Sequence, residues 1–301
     1  MTARGYRAFI KASPVKVMRN VALRKHSTFR IGGAADLFVI PKTVEELKSV
    51  LLLARKHKIR IFVIGNASNV LFPDSGFRGL VIKLANGLNT IKINGNKVLA
   101  GSGVLLACLV KALSREGLSG LEFAFGVPAS VGGAAIMNFG AYGHRIGDLI
   151  ERVFAVNLNG EEIEIPKRKL KFSYRGSNLW DKNFVVTRVE LKLRRGRPKA
   201  IKERVRAFLD RRLSTQPLSI PSAGCVFMNP KGCSAGKLIE ESGMSGKRVG
   251  DAQVSTKHAN FIVNLGCARA QDVLSLIDKV KAAVKQKTGK ILAPEVRIIR
   301  P

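Results

Sequence analysis

Acidic residues are in short supply. The 301 residues hold 21 Asp and Glu against 52 Lys and Arg, a formal net charge of +31, and none of the first 35 is acidic. Cysteine and histidine are scarce, four of each. Cys108, Cys225, Cys233 and Cys267 show no C-x-x-C spacing, which argues against a disulfide framework and a structural zinc site; no metal is expected. No apolar run approaches the roughly 18 residues of a membrane span, and the N-terminus lacks the apolar segment of a secretory signal. Aromatics make up 6%, leaving few platforms for stacking nucleobases. Yet 46% of the residues are hydrophobic, enough for a sizeable core, so bulk disorder is excluded despite the charge. The expectation is a basic, soluble, cytoplasmic protein with free thiols. Residues 1–18 read as a basic N-terminal extension, with an organellar transit peptide as the lesser alternative.

Residues 43–58 place Val44, Leu47, Val50, Leu51 and Ala54 at helical spacing, with Glu45 and Glu46 early and Arg55, Lys56 and Lys58 late, as a helix dipole prefers. Residues 104–116 repeat a helical pattern. So do 199–213, with Ile201, Val205, Phe208 and Leu209 on one face, and 271–286, with Val273, Ile277, Val280 and Val284. IRIFVIG, ending at Gly65, GLVIKL, which follows Asp74-Ser75-Gly76, and residues 184–193 read as strands, and 92–100 as a hairpin around Asn94-Gly95-Asn96. Strands and helices in irregular order predict an α+β fold. The best boundary is the polar Arg194-Arg195-Gly196-Arg197-Pro198. Residues 192–212 carry ten Lys and Arg against Glu203 and Asp210, so a polyanion-binding stripe is an alternative reading; a solvated face is the ordinary one.

Three glycine-rich stretches could carry chemistry: Gly65-Asn66-Ala67-Ser68-Asn69, Gly101-Ser102-Gly103, and Gly126-Val127-Pro128-Ala129-Ser130-Val131-Gly132-Gly133, which runs on to Asn138 and Gly140. Glycine lets backbone N–H groups approach phosphate oxygens closely. One such loop is ordinarily a turn; three make a dinucleotide-sized ligand a fair expectation. Neither G-x-G-x-x-G nor a Walker A loop is present. Gly232-Cys233-Ser234-Ala235-Gly236 fits G-x-S-x-G, but Asn229-Pro230-Lys231 stands where a strand should lead into a nucleophile elbow.

Taken together, seven segments in order resemble one family, the UDP-N-acetylenolpyruvoylglucosamine reductases, also called UDP-N-acetylmuramate dehydrogenases. They are HSTFRIGGAADLFVIP (26–41), VIGNASNVLFPDSGFRGLVI (63–82), GLEFAFGVPASVGGAAIMNFGAYG (120–143), FSYRGS (172–177), QPLSIPSAGCVFMNP (216–230), AGKLIEESGMSGKRVGDAQVSTKHANFIVN (235–264) and APEV (293–296). With no insertion after FSYRGS, the chain resembles the shorter subtype that lacks a tyrosine-bearing loop. The resemblance implies an α+β fold: a two-lobed FAD-binding domain of the vanillyl-alcohol-oxidase type over 19–198 (lobes 19–86 and 87–198), then an α+β substrate-binding domain over 199–301 whose tail returns to the first lobe. It implies bound FAD, NADPH as co-substrate, and reduction of a UDP-sugar enolpyruvyl ether to a lactyl ether for peptidoglycan precursor synthesis. A monomer is expected, with no specific nucleic-acid partner.

By the same resemblance, Gly65, Asn66, Ala67, Ser68, Asn69, Gly126, Val127, Pro128, Ala129, Ser130, Gly132 and Gly133 would hold FAD. Tyr174, Asn229 and Lys237 would contact substrate. Hydride addition to the methylene carbon makes an enediolate beside the carboxylate, which needs charge stabilisation and a proton. Arg175 and Glu295 match the groups that would stabilise it. Cys225 stands where the family commonly has a serine proton donor; a thiol, with an ordinary pKa of about 8.5, is a competent acid. Other departures are Ala67 for a glycine, Ala129 for a glycine, Phe139 for a small residue and Met228 for a lysine.

Overall fold

In this computed structural model the described residues are 3–180 and 183–300. Met1 and Thr2 of the expected extension, Asp181, Lys182 and Pro301 lie outside them. The chain forms two compact units, each assembled from separate stretches: Met1–Asn20, Asp36–Asn66 and Gly79–Asp210 in one; Val21–Ala35, Ala67–Arg78 and Arg211–Pro301 in the other.

The first unit opens with helix α1 (Ala3–Ala12) in the region read as an extension, where Phe9 is buried and the Tyr6 hydroxyl donates to Asp36. Helix α2 (Val44–Lys56) starts at Thr43, whose hydroxyl accepts from the Glu46 N–H. The Glu46 carboxylate reaches back to the Lys42 N–H. These caps satisfy donors that the helix itself cannot. Leu47, Val50, Leu51 and Ala54 are buried, as their spacing predicts. They pack on a sheet ordered Met18–Ala22, Ala34–Val39, Phe77–Lys83, Ile61–Ile64, in which the last two strands run parallel. A second, antiparallel sheet is ordered Glu162–Pro166, Ile150–Asn157, Phe184–Lys192, Lys97–Gly101, Ile91–Asn94, and includes the expected hairpin. Its core holds α3 (Leu106–Arg115) and the short α4 (Val131–Ile136). Helix α5 (Pro198–Thr215) buries Ile201 on the expected face, with Val205 and Phe208 partly covered.

The second unit has its own core. Its antiparallel sheet is ordered Ser222–Cys225, Phe261–Asn264, Ala252–Val254, Arg248–Val249. Against it lie α6 (Ala235–Glu241) and α7 (Ala270–Thr288), the latter burying Val273, Leu276, Ile277, Val280 and Val284. Helix α7 begins on the Asp74 carboxylate, which accepts from the Ala270 and Gln271 N–H groups, and ends at Gly289 in the left-handed conformation. Near the C-terminus Arg297–Ile298 pairs in parallel with Val70–Leu71. Helices and strands are intermingled throughout, the α+β class expected.

Candidate active site

The three glycine stretches lie about 35 and 25 residues apart in sequence, and the first unit brings Gly65 and Asn66 of the first together with the other two. Gly65 packs so closely on the Ser130 hydroxyl that a Cβ could not fit. The Asn66 side chain donates to the Pro128 carbonyl at 2.7 Å. The Gly132 N–H donates to the Ser102 carbonyl at 2.9 Å, and a Cβ on Gly132 would lie 2.7 Å from that of Ser102. Ser130 caps α4, its hydroxyl facing the Gly133 N–H. Ser102 and Gly103 therefore belong with the loops assigned from the sequence; the signal was the glycine pair directly after a strand. Lys83 was missed. It pairs in register with Ile64, next to Gly65, and burial pushes the pKa of its ammonium down. A lysine inside the apolar run GLVIKL was the available clue.

Ala67 is buried and has φ +47°, a left-handed conformation in which glycine is the usual occupant. The backbone N–H groups of Asn66, Ala67 and Ser68 meet no acceptor among the described residues. Successive N–H groups around a left-handed residue form an anion-binding concavity, so this loop fits the diphosphate of FAD. Asn69 is occupied otherwise: its side chain donates to the Glu295 carbonyl and its own carbonyl accepts from the Arg297 N–H.

Arg175 sits at the tip of a tight hairpin, Phe172–Ser173 paired with Gly176–Ser177, at φ +57°. Its Nη1 donates to the Gly140 carbonyl at 3.0 Å, and the guanidinium stacks on the Tyr174 ring, which is 54% exposed. The hairpin is fastened to the end of α4: Ser177 donates to the Ile136 carbonyl, and Asn138 donates to the Ser173 carbonyl while accepting from the Gly147 N–H. Phe139 lies close by, its ring stacked on Phe123.

In the second unit Cys225 ends its strand, half-buried, just after a register shift that places Gly224 at φ +76°. Val226 follows, and its carbonyl accepts from the Glu295 N–H at 2.7 Å. The Met228 N–H donates to the Ala293 carbonyl, so the segments of Cys225 and Glu295 run side by side. Asn229 accepts from the Ala235 N–H at the start of α6. Lys237, largely exposed, lies 3.7 Å from Glu241 one helical turn on. The G-x-S-x-G match resolves as a helix start, with Ser234 capping α6 toward the Lys237 N–H. His258 packs over Gly236, and burial lowers its pKa, so the imidazole is neutral near pH 7. No His/Cys/Asp/Glu cluster that could hold a metal ion occurs among the described residues, and no helix there is long and apolar enough to cross a membrane.

Residues 35–166 match the FAD binding domain family, and residues 216–299 match the C-terminal domain of UDP-N-acetylenolpyruvoylglucosamine reductase. The curated enzyme of that name from Clostridium novyi is 43% identical over 94% of this chain and 92% of its own length. The one from Alkaliphilus oremlandii is 42% identical over 98% of both chains. The crystal structure of the enzyme from Thermus caldophilus superposes with a TM-score of 0.82 at 39% identity, covering 95% of this chain and all of the other. Members of the family use FAD with NADPH as reductant. With glycine loops that fit a diphosphate and relatives at this identity over nearly its whole length, the chain belongs to the UDP-N-acetylenolpyruvoylglucosamine reductase family, FAD oxidoreductases that form UDP-N-acetylmuramate for peptidoglycan synthesis.

Proposed function

We propose that this protein reduces the enolpyruvyl ether of UDP-N-acetylglucosamine to the lactyl ether of UDP-N-acetylmuramate, with NADPH as the electron source and Cys225 as the proton donor. FAD, when bound, supplies the hydride that reaches the methylene carbon of the substrate. The chain's own residues then have two tasks, to hold the charge that develops beside the substrate carboxylate and to protonate the neighbouring carbon. Arg175 suits the first. Its planar, permanently charged guanidinium matches a carboxylate or enediolate, and its backbone is held in a sparsely populated conformation, as functional residues often are. Glu295, whose segment runs beside that of Cys225 in the second unit, has a carboxyl group suited to the same task. Cys225 gives its thiol proton to carbon and is left as a thiolate, which takes a proton back from solvent. The observation that carries this reading is the bond from the Glu295 N–H to the Val226 carbonyl, which ties Glu295 to the residue after Cys225.

The Gly65–Asn69 and Gly126–Gly133 loops would cradle the FAD diphosphate, with Tyr174, Asn229 and Lys237 on the UDP-sugar. The proposed division is an FAD-binding part over 19–198 in two lobes and a substrate-binding part over 199–301; the family matches at 35–166 and 216–299 support it. We take the protein as a cytoplasmic monomer, a setting supported by four free cysteines. The test is an absorption spectrum followed by anaerobic reduction with NADPH and reoxidation by the enolpyruvyl substrate. Cys225→Ser should keep much of the reoxidation rate, and Cys225→Ala should bind FAD but lose that step. A protein that stays colourless when supplied with FAD sinks the reading, and a fully active Cys225→Ala variant removes the thiol from its role.

A further inference from the structure

Beyond Cys225 the regular strand ladder stops: the last pair in register is Cys225 with Phe261. The chain ahead of Phe261 supplies one more backbone bond, from the Val226 N–H to the Asn260 carbonyl at 2.8 Å. After that a side chain takes over. The Phe227 N–H donates to Asn260 Oδ1 at 2.9 Å, and Asn260 Nδ2 donates to the Phe227 carbonyl at 2.9 Å. Asn260 is 3% exposed and Phe227 1%, so water does not compete for these groups. On the other edge of the same dipeptide lies the Glu295 segment, with its N–H on the Val226 carbonyl.

We propose that Asn260 is a positioning residue for the proton-donating step: its amide acts as one more peptide unit of the sheet and fixes the Val226–Phe227 backbone to which both Cys225 and Glu295 are fastened. At neutral pH, where a free carboxyl is ionised and only accepts, a primary amide carries both an acceptor and a donor at the spacing of a peptide group. Leucine of similar size offers neither and leaves a buried N–H and C=O unpaired, which lets this backbone move away. Asn260 is itself held, its N–H facing His258 Nδ1 at 3.3 Å. This inference rests on the roles given to Cys225 and Glu295 above.

The experiment follows FAD-loaded enzyme by stopped flow, measuring flavin reduction by NADPH and reoxidation by the enolpyruvyl ether separately. Asn260→Leu should slow reoxidation about tenfold or more, since small misplacements of reacting groups are costly, while reduction by NADPH stays at the wild-type rate. Asn260→Asp adds a readout that a merely structural role would not move. A neutral carboxyl can accept from the Phe227 N–H and donate its O–H to the Phe227 carbonyl; an ionised one cannot donate. Its reoxidation rate, relative to wild type at each pH, should therefore be near normal in acid and fall as pH rises. The titratable groups around it are His258, Glu240 of α6, which acts on His258, Cys225 and Glu295. If Asn260→Leu does not retain FAD, the aspartate variant decides alone. Reoxidation at the wild-type rate in the variants, with only the melting temperature lowered, overturns the proposal. Cys225→Ala measured alongside separates the two claims: full reoxidation there removes the thiol assignment, while slow Asn260 variants still show positioning through Glu295.

Discussion

Ala67 and Arg175 hold left-handed backbone conformations at φ +47° and +57°, and the two call for opposite treatment. A left-handed L-residue costs roughly 1–2 kcal/mol relative to its favoured conformations. At Arg175 the proposed role needs the guanidinium itself, so glycine there would relieve strain but remove the group that role depends on. At Ala67 a methyl group is all that the side chain supplies. Glycine removes the strain but makes the unfolded chain more flexible, which offsets part of the gain. Ala67→Gly should therefore stabilise the protein by about 0.5–1 kcal/mol, read from the denaturant midpoint, and FAD affinity by fluorescence titration should be equal or tighter. A variant that is less stable and binds FAD more weakly would show that the methyl group packs usefully. Met228 for lysine has no structural consequence that the surrounding contacts explain.

Elements are joined by a few polar contacts whose strength depends on pH. The clearest in the first unit joins the turn after Leu118–Ser119 to α5. The Glu122 carboxylate is 6% exposed; it accepts from the Gly120 N–H at 2.7 Å, the Ser119 hydroxyl at 2.8 Å and Arg204 at 2.8 Å. Burial by itself pushes the carboxyl pKa up, but the hydrogen bonds together outweigh it and the net shift is downward from 4.5. A carboxylate whose pKa is depressed by folding contributes stability above its unfolded value and loses it as pH falls through the folded value. Glu122→Gln should cost about 1–2 kcal/mol at pH 7, since Arg204 is half exposed and its share is screened. The difference from wild type should shrink only below pH 4.5, as the wild-type carboxyl protonates. Melting temperatures of both proteins from pH 7 down to acid check this; a gap that stays constant into acid would contradict the linkage.

For the whole molecule the excess of 52 basic over 21 acidic residues is an energetic matter before it is a functional one. Much of the acid is already in ion pairs: Glu162 with Lys48 and Arg188, Glu190 and Glu164 with Arg152, Glu122 with Arg204, Asp272 with Arg269. Pairing leaves the net excess unchanged, and like charges at the surface repel over about 10 Å at 0.1 M salt. Added salt should raise the melting temperature. FAD, NADPH and a UDP-sugar are all anions, and a positive field raises their encounter rate. The same salt should therefore lower kcat/KM for the UDP-sugar while kcat stays nearly constant. Salt-insensitive kcat/KM would confine the charge to the role of an unneutralised surface.

Local structure can be read from the residues alone. Apolar spacing fixed the buried faces of α2 and α7, Asn94-Gly95-Asn96 marked the hairpin, and the glycine loops marked where backbone could approach a ligand. These signals are legible because helix period, turn chemistry and caps act within a few residues. Chain order of the seven segments identified the family. The remainder emerges from long-range packing. Phe261–Asn264 is buried at all four positions, so it carries no alternation to read. Nothing local to Gly65, Ser102 and Ser130 says that their loops meet, since that follows from strand pairing across the whole first unit. Asn260 is one asparagine among many in the sequence. It became a candidate only when folding buried it against Phe227, where the cost of an unpaired peptide group makes its amide matter.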